Sequence, residues 1–236
     1  MPNRIVEDPR IDPRIKLMFG EWPSQTRANA SSREELLAAA NAPEALAARE
    51  TMAAFFARCN SEEIAPSAGL TITDLAFTSE PDGNTAKVQF IRPESASPLP
   101  CVYYIHGGGM QSLSCYDGNY RAWGRMIANE GVAVAMVDFR NALTPSSVPE
   151  VAPFPAGLND CVSGLRWVAR HASELGIDAG RIIVAGESGG GNLTLATALK
   201  LKLEGDLGRV RGLYAMCPYV AGIWPLPQNP SSVENN

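Results

Sequence analysis

Apolar residues recur with two different rhythms along this chain, and the change comes near residue 68. Before it, residues 32–60 are rich in Ala, Leu, Glu and Arg, which are strong helix formers. Ser31 and Ser32 followed by Glu34 and Glu35 offer a helix start, and Pro43 is expected to break or kink that helix. Leu46, Met52, Phe55 and Phe56 are its apolar positions. Beyond it, short β-branched and aromatic runs predict strands at 70–78, 85–92, 101–105, 132–139, 182–185 and 210–216. Helices are expected near 119–129, 158–175 and 190–203. Glu80-Pro81-Asp82-Gly83-Asn84 has turn chemistry, so the first two strands should form an antiparallel hairpin. The later alternation of strand and helix predicts an α/β fold with a mostly parallel sheet and right-handed crossovers. Two parts are expected: a helical region, 1–68, and an α/β core, 69–236.

The strand at 182–185 runs into Gly186-Glu187-Ser188-Gly189-Gly190, and helix-compatible sequence follows. A serine in the spacing G-x-S-x-G on a sharp strand-to-helix turn is lifted clear of the sheet, and only residues without bulk let strand and helix pass so closely. The first amides of the helix then face whatever the hydroxyl attacks. A glycine-rich helix entry with an incidental serine would read the same way in isolation. A second segment changes that balance. The strand at 101–105 ends in His106-Gly107-Gly108-Gly109, the kind of loop that presents backbone N–H groups to a developing oxyanion.

Together these segments resemble the bacterial hormone-sensitive-lipase-like branch of the α/β-hydrolase esterases. The likeness continues through Val137-Asp138-Phe139-Arg140, the run Pro153-Phe154-Pro155-Ala156-Gly157-Leu158-Asn159-Asp160-Cys161, then Leu165-Arg166-Trp167-Val168 and Leu175-Gly176-Ile177-Asp178, and it covers about residues 70–219. The resemblance implies an α/β-hydrolase sheet under an N-terminal helical cap. It implies hydrolysis of short- or medium-chain carboxylic esters through an acyl-serine, on a small-molecule ester and with no metal or organic cofactor. Ser188 matches the nucleophile. Gly107, Gly108 and Gly109 match the oxyanion loop, with Gly108 and Gly109 the favoured donors, and Gly189 matches the donor after the nucleophile. His106, Gly186, Glu187 and Gly190 support the two motifs, Glu187 by bracing the turn. The cap would shape the acyl pocket; a helix packed as plain core is the alternative. Tyr116, Asp117 and Trp224 either line the acyl side or lie in exposed loops.

The family completes its triad with an acid and then a histidine, both after the serine. Here the acids after Ser188 are Glu204, Asp206 and Glu234, and no histidine follows. His171 lies in a helix whose Cys161, Leu165, Val168, Ala172 and Leu175 should face the sheet; it shares the other side with Asp160, Trp167 and Glu174, and is expected in solvent. The departure leads to the expectation that the chain is the N-terminal portion of a longer esterase, lacking the last strands. The strand at 210–216 would then present an open edge, leading to dimerisation or to completion by a second, C-terminal polypeptide. A non-catalytic ligand-binding or inert protein on the same scaffold is the rival.

Composition narrows the rest. A net charge of −5 argues against a nucleic-acid partner. No apolar run approaches the length of a membrane span, and the N-terminus lacks the apolar stretch of a secretory leader. Five cysteines without metal-ligand spacing suggest reduced thiols in a cytoplasmic protein. The glycine run at 189–191 lacks the lysine of a phosphate-binding loop.

Overall fold

The computed structural model describes residues 4–20, 30–220, 222 and 228. The chain divides into two compact units, Met1–Leu36 and Leu37–Asn236. The first holds α1 (Arg4–Glu7) and α2 (Pro13–Phe19), whose start is fixed by Asp12: its carboxylate accepts the Arg14 amide at 2.8 Å. α3 (Arg33–Ala40) begins in this unit. The amide and hydroxyl of Ser31 donate to the Glu35 carboxylate at 2.7 and 2.9 Å, and the Glu35 amide donates to the Ser32 hydroxyl at 3.2 Å, so the expected start forms through reciprocal capping.

In the second unit α4 (Pro43–Ala57) opens on the proline that was expected to interrupt the helix. Proline has no amide hydrogen and clashes with the preceding turn, so α3 stops and α4 restarts with Pro43 in its first turn, where neither defect matters. The last turn of α4 packs on the start of α5 (Gly118–Asn129), where any β-carbon on Gly118 would run into the Phe56 carbonyl and Ala57.

Six strands form one sheet in the order β1-β2-β4-β3-β5-β6: β1 (Leu70–Thr78), β2 (Thr85–Pro93), β3 (Leu99–Ile105), β4 (Ala133–Asp138), β5 (Ile177–Glu187) and β6 (Gly212–Met216). β1 and β2 make the expected antiparallel hairpin, from Leu70 opposite Pro93 to Thr78 opposite Thr85. β2 is also antiparallel to β4, whereas β4–β3, β3–β5 and β5–β6 are parallel. β2 is therefore the one strand running against the rest.

Alternate residues of the central strands feed two cores. Cys101, Tyr103 and Ile105 of β3 pack with Leu165 and Val168 of α6 (Ala156–Arg170) and with Leu193 and Leu201 of α7 (Gly189–Leu203). On the other face Tyr104, Val134 and Met136 pack with Tyr120 and Ala128 of α5. Each fully buried side chain of this size contributes about 1.5–3 kcal/mol, which holds the sheet rigid beneath the loops at its carboxyl end. Among the described residues no helix is long and apolar enough to cross a membrane.

The predicted inner face is correct: Cys161, Leu165 and Val168 of α6 and Ala172 just beyond it are buried, and Leu175 is partly buried against the same core. Its outer face is not what the period suggested. Asp160 is fully buried, and both its oxygens take 2.9 Å hydrogen bonds from the Arg140 guanidinium. The first turn of α6 passes directly over the loop after β4, and a long-range partner there overrides the local period. His171 follows the last turn of α6, half-buried, with its ring stacked on Trp167 at 4.3 Å.

Candidate active site

β3 and β5 are neighbours in parallel register, with Ile105 opposite Gly186. Both motifs therefore leave the sheet side by side at its carboxyl end. This is also where the connections diverge, since β3 leads on to β4 on one side while β5 lies on the other, and such crevices are where open α/β sheets bind ligands.

Ser188 joins β5 to α7 with φ 53° and ψ −121°, and it is exposed. A positive φ is strained for a residue with a β-carbon, and the surroundings enforce it. Its amide donates to the Met216 carbonyl at the end of β6 at 3.0 Å, and its carbonyl accepts from the Asn192 amide at 3.1 Å. Strand and helix pass so tightly that a β-carbon on Gly190 would collide with the Ile105 carbonyl, and one on Gly186 with the Gly190 carbonyl.

The glycine loop turns back through Gly108, at φ 94°, whose carbonyl accepts the amides of Gln111 at 3.0 Å and Ser112 at 3.2 Å. The Gly107 amide is engaged elsewhere, donating to the Tyr120 hydroxyl at 2.9 Å. Among the described residues, the amides of Gly108 and Gly109 donate to no protein acceptor. The amide of Gly189, first residue of α7, has no carbonyl behind it within the helix. These groups meet: a β-carbon on Gly189 would lie 2.7 Å from the amide nitrogens of both Gly109 and Met110. The exposed Ser188 thus directly precedes a residue packed against the glycine loop and its unpaired backbone donors, an arrangement that can receive negative charge on an oxygen bonded to an attacked carbon.

His106 is fully buried beneath this loop, stacked on Phe139 at 4.3 Å, with Nδ1 2.9 Å from the Gly107 carbonyl. A carbonyl only accepts, so Nδ1 carries the hydrogen. Burial pushes the imidazole pKa down, which keeps it neutral, and Nε2 faces Asp138 at 3.8 Å. Asp138 is itself occupied by the Ser114 hydroxyl at 2.7 Å and by the amides of Cys115 at 3.1 Å and Ser147 at 2.8 Å. His106 braces the loop from below.

A second brace comes from residues 141–144. The Ala142 amide donates to the Met110 carbonyl at 3.0 Å, the Leu143 and Thr144 amides to the Gln111 carbonyl at 3.2 and 3.0 Å, and the Asn141 side chain to the Leu113 carbonyl at 2.7 Å. Arg140, held by Asp160 and also by Asp82 at 2.6 Å, anchors that segment. Neither Tyr120 nor the Arg140–Asp160 pair was singled out from sequence, because nothing local marks a partner 67 or 20 residues away.

The other candidates are placed as follows. Glu187 turns to Tyr120, whose hydroxyl donates to it at 2.5 Å. Tyr116 lies half-buried under the Arg121 guanidinium, 5.4 Å from the ring centre. The Asp117 carboxylate accepts the Ser114 amide at 3.1 Å, and burial pushes its pKa up. Glu204 and Asp206 bind Arg166 at 2.8 and 2.9 Å beyond the far end of α7, about 22 Å from the Ser188 turn at 1.5 Å per residue. Trp224 and Glu234 lie outside the described residues.

Residues 102–235 match a family model described as the alpha/beta hydrolase fold. The solved structure of esterase Est22 matches with 66% identity and a TM-score of 0.93, covering 99% of this chain and 68% of that chain; its mutant S188A matches equally well. The brefeldin A esterase, a bacterial homologue of human hormone-sensitive lipase, matches at 30% identity and a TM-score of 0.75, over 94% of this chain and 62% of that one. Esterase LipI of Mycobacterium tuberculosis is 35% identical over 145 residues, which are 61% of this chain and 41% of LipI. The chain thus spans less than half the length of that curated relative. With the paired motifs, the strand order and these likenesses in agreement, the chain belongs to the hormone-sensitive-lipase-like esterase family of the α/β hydrolases.

Proposed function

We propose that this chain carries the nucleophile and oxyanion half of a carboxylic ester hydrolase acting on short- and medium-chain esters. The observation that carries the reading is the exposed, strained Ser188 beside the unpaired amides of Gly108, Gly109 and Gly189. In this reading the Ser188 Oγ attacks the ester carbon and forms a new C–O bond, while the three amides hold the oxyanion. The C–O bond to the alcohol then breaks, the alcohol leaves with a proton, and water hydrolyses the acyl-serine. The S188A mutant of Est22, carrying the number of the turn serine here, supports this choice of nucleophile.

The serine proton needs a base. The chain has two histidines; His106 is buried and neutral under the loop, and His171 stacks on Trp167 with Nδ1 2.8 Å from the Trp167 carbonyl. The triad histidine and its acid therefore have to come from outside these residues. Without them about 10³–10⁴-fold acceleration over water remains, from the oxyanion donors and binding. We assign residues 1–68 the role of cap and place the completing polypeptide, or a second copy, along the open side of β6. A stable monomer on gel filtration without any partner would count against that completion. Five free cysteines suit a reducing, cytoplasmic setting.

The test is pre-steady-state release of p-nitrophenol from p-nitrophenyl acetate, apt because Est22 has been solved with p-nitrophenol. A burst of about one equivalent, absent in Ser188→Ala, is the expected result. The missing base favours one rival, a ligand-binding protein on the same scaffold, and that rival predicts no burst.

A further inference from the structure

We propose that Tyr120 is a positioning residue that ties the oxyanion loop to the nucleophile turn through a single hydroxyl. The proposal rests on the acyl-transfer reading of Ser188. The Tyr120 hydroxyl donates to Glu187 Oε1 at 2.5 Å and accepts the Gly107 amide at 2.9 Å. Each partner is the residue directly before a reacting element: Gly107 precedes the donor Gly108, and Glu187 precedes Ser188. One oxygen thereby sets the spacing between two segments that are about eighty residues apart in sequence.

Three features make the tie rigid. Tyr120 is 5% exposed on α5, with its ring against Tyr104 at 6.5 Å and His106 at 5.6 Å, so it has no room to swing away. The bond to a carboxylate is short and directional, stronger than one between neutral groups. Gly107 also lies so close to the Glu187 carboxylate that any β-carbon there would collide with it. The tie has an electrostatic side as well. An unrestrained carboxylate next to an oxyanion site would repel the charge the site must receive, whereas here the phenol hydrogen fixes the Glu187 carboxylate against Tyr120. Burial, with Glu187 as a further cause, pushes the phenol pKa up, so the hydroxyl keeps the proton it donates.

The direct test compares wild type with Tyr120→Phe, which keeps the ring and removes the oxygen. With an alkyl fluorophosphonate as probe, the maximal labelling rate of Ser188 should fall ten- to hundredfold, up to the roughly hundredfold that a misplacement of about 1 Å can cost and short of the full loss of an oxyanion donor. The half-saturating probe concentration should stay within about twofold and the melting temperature within a few degrees, a split that a loss of folding would not give. Glu187→Ala should also slow labelling, and Glu187→Gln, which keeps an acceptor oxygen, should slow it less. Amide exchange around Gly107 gives a readout independent of chemistry and should quicken in Tyr120→Phe. Equal labelling rates and equal exchange in Tyr120→Phe and wild type would overturn the tie. A wild-type Ser188 that takes no label would overturn the acyl-transfer reading instead, and the exchange comparison would then decide the tie by itself.

Discussion

β4 and β6 are short apolar strands of one sheet, yet they meet opposite surroundings. Every residue of β4 is buried, with β2 and β3 on its edges and helices over both faces. Among the described residues β6 pairs only with β5, and Leu213 and Tyr214 are 44% and 59% exposed. The composition of a strand states what it could bury; its neighbours decide what it does bury. The contrast reaches the site, because the β3 loop rests on the closed side of the molecule while the Ser188 amide hangs on Met216 at the tip of the open strand. The glycine loop is braced from several directions, and the Ser188 turn shares one of its anchors with an edge that no other described strand covers.

The closed side should be the costlier to damage. Asp160→Ala leaves the Arg140 guanidinium buried without its main partner, and denaturant unfolding should show a loss of about 3–5 kcal/mol. It should also loosen residues 141–144, seen as faster amide exchange there and in the loop they brace. Next comes a matched pair of truncations. Met136→Ala on β4 should cost about 2–5 kcal/mol, whereas Leu213→Ala on β6 should cost under about 1 kcal/mol. Equal losses would mean that β6 is covered in solution, and the contrast drawn above would fail.

A smaller effect belongs to His106. Its folded pKa is depressed by burial, so below the ordinary value of about 6.5 the unfolded chain takes up a proton that the folded chain refuses. Stability should be full above that pH and decline as pH falls through it, by at most about 1.4 kcal/mol per pH unit from this group. The slope of melting temperature between pH 7 and pH 5 measures it, and His106→Gln should flatten that slope.

Sequence was most informative where local chemistry decides the outcome. The hairpin at Glu80–Asn84, the break at Pro43, the buried face of α6 and both glycine motifs follow from turn residues, periodicity and steric need. It was least informative where distant segments meet. β5 starts at Ile177 instead of residue 182, because Ile177 pairs with Leu99 across an irregularity, and the polar stretch between gives no strand rhythm. α6 ends at Arg170 instead of 175, since the chain turns through residues 171–176 to reach that early pairing. Asp160 looked solvent-facing by period, and Tyr120 looked like any helical aromatic. Their roles depend on Arg140 and Glu187, which only the folded sheet brings near.

The central claim is that the Ser188 hydroxyl is a nucleophile served by the amides of Gly108, Gly109 and Gly189. Peptide mapping after reaction with an alkyl fluorophosphonate tests it most directly. The account predicts one adduct per chain, on Ser188, and none in Ser188→Ala. An unmodified Ser188, or equal modification of the alanine variant at another residue, would contradict it.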